Sequence, residues 1–265
     1  VIFAFSKRER AKTFQNIGIG YGDALSPEAK EALARQVWRN LGRNIFEATH
    51  WLRWTPQEIR SKVAVVYGQE NLTSALARGN GVFVVSAHLG NWELLAAYVS
   101  GLGPTSGLAQ NLYDPRFDRI VTDFRVKNLG LVQMIKRGLA LRGVLEAMGQ
   151  GHFMMALCDQ DTGKDGVFVP FYGRQAWTQS GVARIAQKTG SVLVPAFMVR
   201  GRDGRYEVHV EKEILVSAEG DKDRNVLEAV ENFTRTIEKY VKAYPEQWVW
   251  MHERWKTRPA SEGKK

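Results

Sequence analysis

Val82-Phe83-Val84-Val85-Ser86-Ala87-His88-Leu89-Gly90-Asn91-Trp92-Glu93 passes from an unbroken apolar run, through a turn, into a residue that starts helices. A short apolar run closed by turn residues reads as a strand covered on both faces. Asn91 is a good N-cap, so a helix is predicted from about Trp92 to Ser100, with Glu93 in its first turn. The unit is strand, turn, helix.

The same alternation continues outward along the chain. Phe153 to Leu157 is the next clear buried strand, Val182 to Lys188 has helical spacing, and Val192-Leu193-Val194-Pro195 is another strand. Tyr206 to Val216 alternates apolar and polar residues as an edge strand does, and Arg224 to Ala243 places Val226, Val230, Phe233, Ile237 and Val241 on one helical face. Such βα alternation predicts an α/β fold, a central mainly parallel sheet flanked by helices. Toward the N-terminus, Ser26-Pro27-Glu28 is a helix start. Ala32, Leu33, Val37, Leu41, Ile45 and Trp51 continue its stripe, so a long added helix runs to about Trp54. Shorter helices follow from Pro56 and Asn71 until Arg78-Gly79-Asn80-Gly81 breaks the pattern. No internal repeat or linker divides residues 1–265, and one domain is expected, with a flexible tail over 259–265.

Lys plus Arg number 37 against 28 Asp plus Glu, a net charge of +9 that favours an anionic partner. No nucleic-acid motif accompanies the charge, which leaves phospholipid headgroups or an acidic carrier protein. Cys158 is the only cysteine, so neither an intramolecular disulfide nor a Cys-x-x-Cys pair exists. No apolar run approaches the roughly 18 residues of a spanning helix. Val1 to Phe5 is apolar and is followed by Lys7, Arg8, Arg10 and Lys12. That pattern fits either the cytoplasmic end of a preceding membrane anchor, over residues 1–12, or an ordinary fragment boundary.

His88 stands just past a strand's carboxyl end, where open α/β sheets place their ligands. A carboxylate one helical turn on, Glu93, suits general-base chemistry, because it fixes the ring tautomer and stabilises the imidazolium. A plainer reading is equally open from spacing alone: Glu93 complements the helix dipole and His88 is a hydrogen-bonded strand-end residue. Backbone N–H groups at Gly90 to Trp92 are candidates for stabilising an oxyanion.

His88-Leu89-Gly90-Asn91-Trp92-Glu93 resembles the His-x-x-x-x-Glu signature of the lysophospholipid acyltransferase superfamily, and specifically the late acyltransferases of lipid A biosynthesis. Further blocks follow in that family's order: Asp159-Gln160-Asp161; Val169-Pro170-Phe171-Tyr172-Gly173 with Thr178 and Gly181; and Tyr244-Pro245-Glu246-Gln247-Trp248 leading into Met251-His252-Glu253-Arg254-Trp255-Lys256. The resemblance covers roughly residues 8 to 258. It implies an enzyme at the cytoplasmic face of the bacterial inner membrane, with an anchor upstream, moving a fatty acyl group from acyl carrier protein or coenzyme A to a hydroxyl of an anionic lipid. His88 would be the base, Glu93 its partner, and no cofactor or metal is implied. The phosphatidylinositol mannoside acyltransferases share these motifs, so the acceptor is left open; a non-catalytic lipid-binding module is the alternative of another class.

Other residues carry weaker expectations. Asp159 and Asp161, past the strand Phe153 to Leu157, are of a type that shares Mg²⁺ with substrate phosphate; shaping the acceptor pocket or holding a basic residue is the expectation here. Asn91, Thr178 and Gly181 join them as candidate substrate contacts. Among the cations from Arg116 to Arg137, Arg125 and Arg137 are the candidates for gripping phosphate. Cys158 is expected to be a small buried residue, since neighbouring Asp159 raises a thiol's pKa. Trp248, Trp250 and Trp255, interleaved with His252, Arg254 and Lys256, read either as an interfacial belt at a membrane surface or as packing. His50, His152 and His209 stand outside any motif.

Overall fold

The computed structural model describes residues 6–51, 54–109, 114–136 and 140–260. Arg137 and Val1 to Phe5 lie outside the described residues. The chain opens with α1 (Lys7–Tyr21) and α2 (Pro27–Trp51), followed by α3 (Pro56–Ser61), β1 (Val63–Tyr67), α4 (Gln69–Leu76), β2 (Val82–Ser86) and α5 (Trp92–Ser100). Next come β3 (Thr105–Ala109), α6 (Pro115–Lys127), β4 (Gln133–Lys136), α7 (Ala140–Gly149) and β5 (Phe153–Leu157). The last part is a hairpin of β6 (Gly166–Phe171) and β7 (Arg174–Gln179), then α8 (Gly181–Thr189), β8 (Val192–Arg200), β9 (Tyr206–Val210) and α9 (Lys222–Ala243).

The main sheet has the order β1-β9-β8-β2-β5-β3-β4. Every described pairing in it is parallel except β8 with β9. β2 sits in the middle, and alternate residues feed two cores. Phe83 and Val85 face one core with α8 and α9, while Val82 and Val84 face the other with α4 and α5. Both faces are covered, which is why the strand reads as a continuous apolar run rather than an alternation.

One expectation is corrected here. Tyr206 to Val216 is not an edge: β9 ends at Val210 and lies between β1 and β8, paired on both sides. Its alternation reflects the two faces of the sheet: Tyr206, Val208 and Val210 are buried, while Glu207 and His209 are half-buried. The edge is β1, whose Val65 and Tyr67 are exposed. Unanticipated elements include α1, β3, β4, α6, α7 and the β6–β7 hairpin. β3 contains a glycine and no β-branched residue after Thr105, and β4 is only four residues long, too short to show a period. Among the described residues no helix is long and apolar enough to cross a membrane.

The two N-terminal helices serve the site. On α1, Asn16 donates to the carbonyls of Trp250 (2.7 Å) and His252 (2.6 Å). On α2, Asn44 donates to the Gly90 carbonyl at 2.7 Å and Asn40 to that of Glu246 at 2.9 Å. Both helices therefore brace the turn after β2 and the C-terminal segment that lies against it.

Candidate active site

β2 and β5 are neighbours in parallel register, with Ser86 beside Leu157. Two residues beyond each of those ends stand His88 and Asp159, so two turns remote in sequence meet side by side. Asp159 is fully buried and accepts from the His88 backbone N–H (2.9 Å), from His88 Nδ1 (2.8 Å) and from Trp248 Nε1 (2.8 Å). Burial opposes its charge, but the His88 ring, His252 and the Trp248 indole outweigh burial and hold the carboxyl well below the usual range. With Nδ1–H given to Asp159, the His88 Nε2 carries the lone pair. The side chain keeps 20% of its surface in solvent while Asp159 keeps none, so the ring is the accessible part of the pair.

Gly90 makes the turn possible. Its φ is +59°, and a Cβ there would lie 2.0 Å from the Met198 carbonyl oxygen. The turn is also clamped by the C-terminal segment: Gly90 N–H donates to Gln247 O (3.0 Å), Val249 N–H to His88 O (3.0 Å), and Leu89 bridges Trp248. Asn91 N–H donates to Met198 O at 2.9 Å. Of the N–H groups of Gly90 to Trp92, expected from sequence as oxyanion donors, those of Gly90 and Asn91 are therefore already engaged.

In the structure the Glu93 carboxylate is hydrogen-bonded away from His88. It faces α6 and pairs with Arg125, Nε at 3.0 Å and a terminal nitrogen at 2.5 Å. The arrangement is a two-pronged pair, each side chain about a quarter exposed. Glu93 starts the helix and points along it, whereas His88 points across to the neighbouring strand end. The ring's described partners are Asp159 and Gln160, with Trp92 edge-on at 5.1 Å.

The remaining candidates divide plainly. Asn91 is buried and uses its amide at both ends: it accepts from Leu94 N–H and donates to the Tyr206 hydroxyl, which in turn meets Glu47 of α2. A substrate contact does not fit it. Asp161 accepts from Gly163 N–H and from the N–H and hydroxyl of Thr257, which ties the segment after β5 to the C-terminal segment. Asp159 and Asp161 thus bind different partners, and among the described residues no group of three or more His, Cys, Asp or Glu gathers as metal ligands. Thr178 is buried and accepts from Arg254, whose other terminal nitrogen donates to Trp177 O and whose guanidinium lies over the Phe171 ring. Gly181 is the first residue of α8, with open space where a Cβ would stand.

Trp248, Trp250 and Trp255 are all buried, at 1%, 0% and 5% exposure, which corrects the interfacial-belt reading. Each indole N–H has a protein acceptor: Asp159, Pro245 O and Phe171 O. Cys158 is buried, and burial followed by Asp159 pushes its thiol pKa far up. His152 is buried and meets the Ser106 hydroxyl, while His209 stacks on Tyr67. Missed from sequence were Gln160 as a neighbour of the base and His252 as part of the same cluster, its ring centroid 4.8 Å from that of His88. The signal for His252 was its place in the last motif block.

The first, second and last motif blocks thus meet at His88, and the third packs against the last through Phe171 and Thr178. The sequence matches the family described as Bacterial lipid A biosynthesis acyltransferase over residues 1–257. The chain belongs to this family. It is 29% identical to the lipid A biosynthesis palmitoleoyltransferase of Escherichia coli K12, over 97% of this chain and 82% of that protein. It is 26% identical to the lipid A biosynthesis lauroyltransferase of the same organism, over 96% and 81%. The phosphatidylinositol mannoside acyltransferase of Mycolicibacterium smegmatis is 25% identical over 70% of this chain and 60% of its own length. The enzyme is an acyltransferase, and the cluster around His88 is its candidate centre.

Proposed function

We propose that this acyltransferase moves a fatty acyl group from a carrier thioester to a hydroxyl of a lipid A precursor, with His88 as general base and Asp159 as the group that orients and charges it. The observation that carries the reading is the 2.8 Å bond from His88 Nδ1 to a fully buried carboxylate, which leaves Nε2 as the lone pair of a partly exposed ring. The acceptor hydroxyl gives its proton to Nε2 as its oxygen attacks the acyl carbon. When the carbon–sulfur bond breaks, the imidazolium returns that proton to the leaving thiolate. No side-chain nucleophile is needed, and Cys158, inaccessible and with a raised pKa, does not supply one.

Glu93 and Arg125 form a fixed carboxylate–guanidinium pair at the start of α5. Their role in this reading is to hold Arg125 where its remaining N–H groups face an acceptor or donor phosphate. The lipid A assignment rests on relatives named for that pathway, two of them matched over nearly the whole chain. Attachment to the anionic cytoplasmic surface of the inner membrane fits the basic start of α1, where Lys7 and Arg8 are exposed. The buried tryptophans take no part in it.

The test is single-turnover transfer from lauroyl-coenzyme A and lauroyl-acyl carrier protein to underacylated lipid A, read by product mass. His88→Ala should lose about 10²–10⁴-fold in rate with the fold intact. A purified variant keeping more than about a tenth of the wild-type rate rules out general-base catalysis by His88.

A further inference from the structure

Acyl transfer through a tetrahedral intermediate needs a donor aimed at the developing oxyanion, and in the turn after β2 the N–H groups of Gly90 and Asn91 are engaged, which leaves that of Trp92 as the backbone candidate. A side-chain donor stands beside the base as well. The Gln160 amide nitrogen lies 3.3 Å from His88 Nε2, 3.2 Å from His88 Nδ1 and 2.7 Å from His252 Nε2. We infer that Gln160 is the oxyanion donor of this centre and that His252 is the residue that positions it. The inference rests on the reading of His88 as the base.

The orientation of the amide follows from its neighbours. His88 commits its Nδ1 proton to Asp159, so its Nε2 is an acceptor. With His252 Nε2 as acceptor, the N–H end of the amide faces it at 2.7 Å, because a carbonyl oxygen there would repel the lone pair. One N–H is fixed by His252. The amide nitrogen is nearly equidistant from the two His88 ring nitrogens, so it lies over the ring rather than on the in-plane Nε2 lone pair; in this reading its second N–H meets the acyl carbonyl oxygen at about 3 Å, the reach of an oxyanion hydrogen bond.

His252 can serve only if neutral, since an imidazolium would donate rather than accept and turn the amide over. Burial, followed by the nearby His88, pulls its pKa down to about 4, against the smaller opposing pull of Asp159 and Glu9, while Lys12 of α1 acts in the same direction as burial. Its backbone carbonyl is pinned by Asn16 at 2.6 Å. In the reaction the hydroxyl oxygen bonds to the acyl carbon, its proton moves to His88, and the carbonyl electron pair goes to the oxygen that Gln160 binds. Collapse returns that pair and expels the thiolate.

The experiment compares Gln160→Ala, His252→Leu and His252→Gln with His88→Ala, measuring kcat, KM and the affinity for a dodecyl trifluoromethyl ketone, which mimics the oxyanion as its hydrate. Gln160→Ala should lower kcat about 10²–10³-fold with little change in KM, and should weaken the ketone by a similar factor. His252→Leu should lower kcat by about tenfold or more, and His252→Gln, which keeps an acceptor facing Gln160, should restore most of that loss. If Gln160→Ala keeps wild-type kcat and ketone affinity while His88→Ala is inactive, the oxyanion assignment falls and the base stands. If His88→Ala is itself active, the base reading falls with it. A Gln160→Ala loss confined to KM or to thermal stability also overturns the assignment.

Discussion

Replacing Asp159 by Asn tests the pairing that distinguishes this centre from the one its motif suggests. The carboxylate takes two donors on Oδ2, the His88 backbone N–H and Trp248 Nε1, and one on Oδ1, His88 Nδ1. An asparagine keeps the shape but has one acceptor, and the two donors on the first side hold its oxygen there. Its NH₂ group then faces His88 Nδ1 and can only donate, which forces the ring proton onto Nε2, the atom that must accept. The imidazolium also loses its counter-charge. The same change in a Ser-His-Asp triad costs about 10⁴-fold for the same tautomeric reason, equivalent to about 5.5 kcal/mol of transition-state stabilisation. The loss of a charge-assisted hydrogen bond should cost about 1.5–3 kcal/mol of folding stability. The assay is single-turnover acyl transfer for the rate and urea unfolding for the fold. Glu93→Gln, run alongside, should lose less than Asp159→Asn, since Glu93 does not touch the ring. Asp159→Asn keeping more than a tenth of the wild-type rate, or Glu93→Gln proving the more damaging at equal stability, refutes the reasoning.

Gly90→Ala should destabilise the fold and abolish transfer, because the αL backbone alone costs about 1–2 kcal/mol and the new Cβ would meet the Met198 carbonyl oxygen at 2.0 Å; an unchanged urea midpoint would show that the turn yields. Cys158→Ser should remain active, with no acyl group trapped on the wild-type Cys158 by mass spectrometry, and a stable acyl-cysteine would overturn direct attack. His252 is neutral in the folded protein down to about pH 4, whereas its unfolded pKa is near 6.5. Below that value the unfolded chain binds a proton that the native state does not. Stability should therefore fall as pH drops from 6.5 toward 4, by about 3 kcal/mol in all. His252→Gln should flatten that slope by about one proton, and an identical slope in both proteins would count against a neutral buried ring.

The sequence by itself determined the βα alternation around β2, β5 and β8 and singled out His88. β2 is five consecutive apolar or small residues because both faces are covered, and Asn91 caps α5 as its side chain dictates, since N-capping is a local interaction. The four blocks were legible for the same reason, as each is a short stretch of chain. Tertiary structure decided how they meet. The spacing of His88 and Glu93 suggested a pair, but a helix start turns Glu93 toward Arg125 on α6, while the register of β2 against β5 sets His88 beside Asp159, 71 residues away. That register follows from hydrogen bonds between strands, and no local period encodes it. The tryptophans show the same limit. A run of indoles and cations fits a membrane surface or a core equally well until the segment is seen lying along the turn after β2, where Trp248 reaches the buried Asp159 carboxylate beside His88.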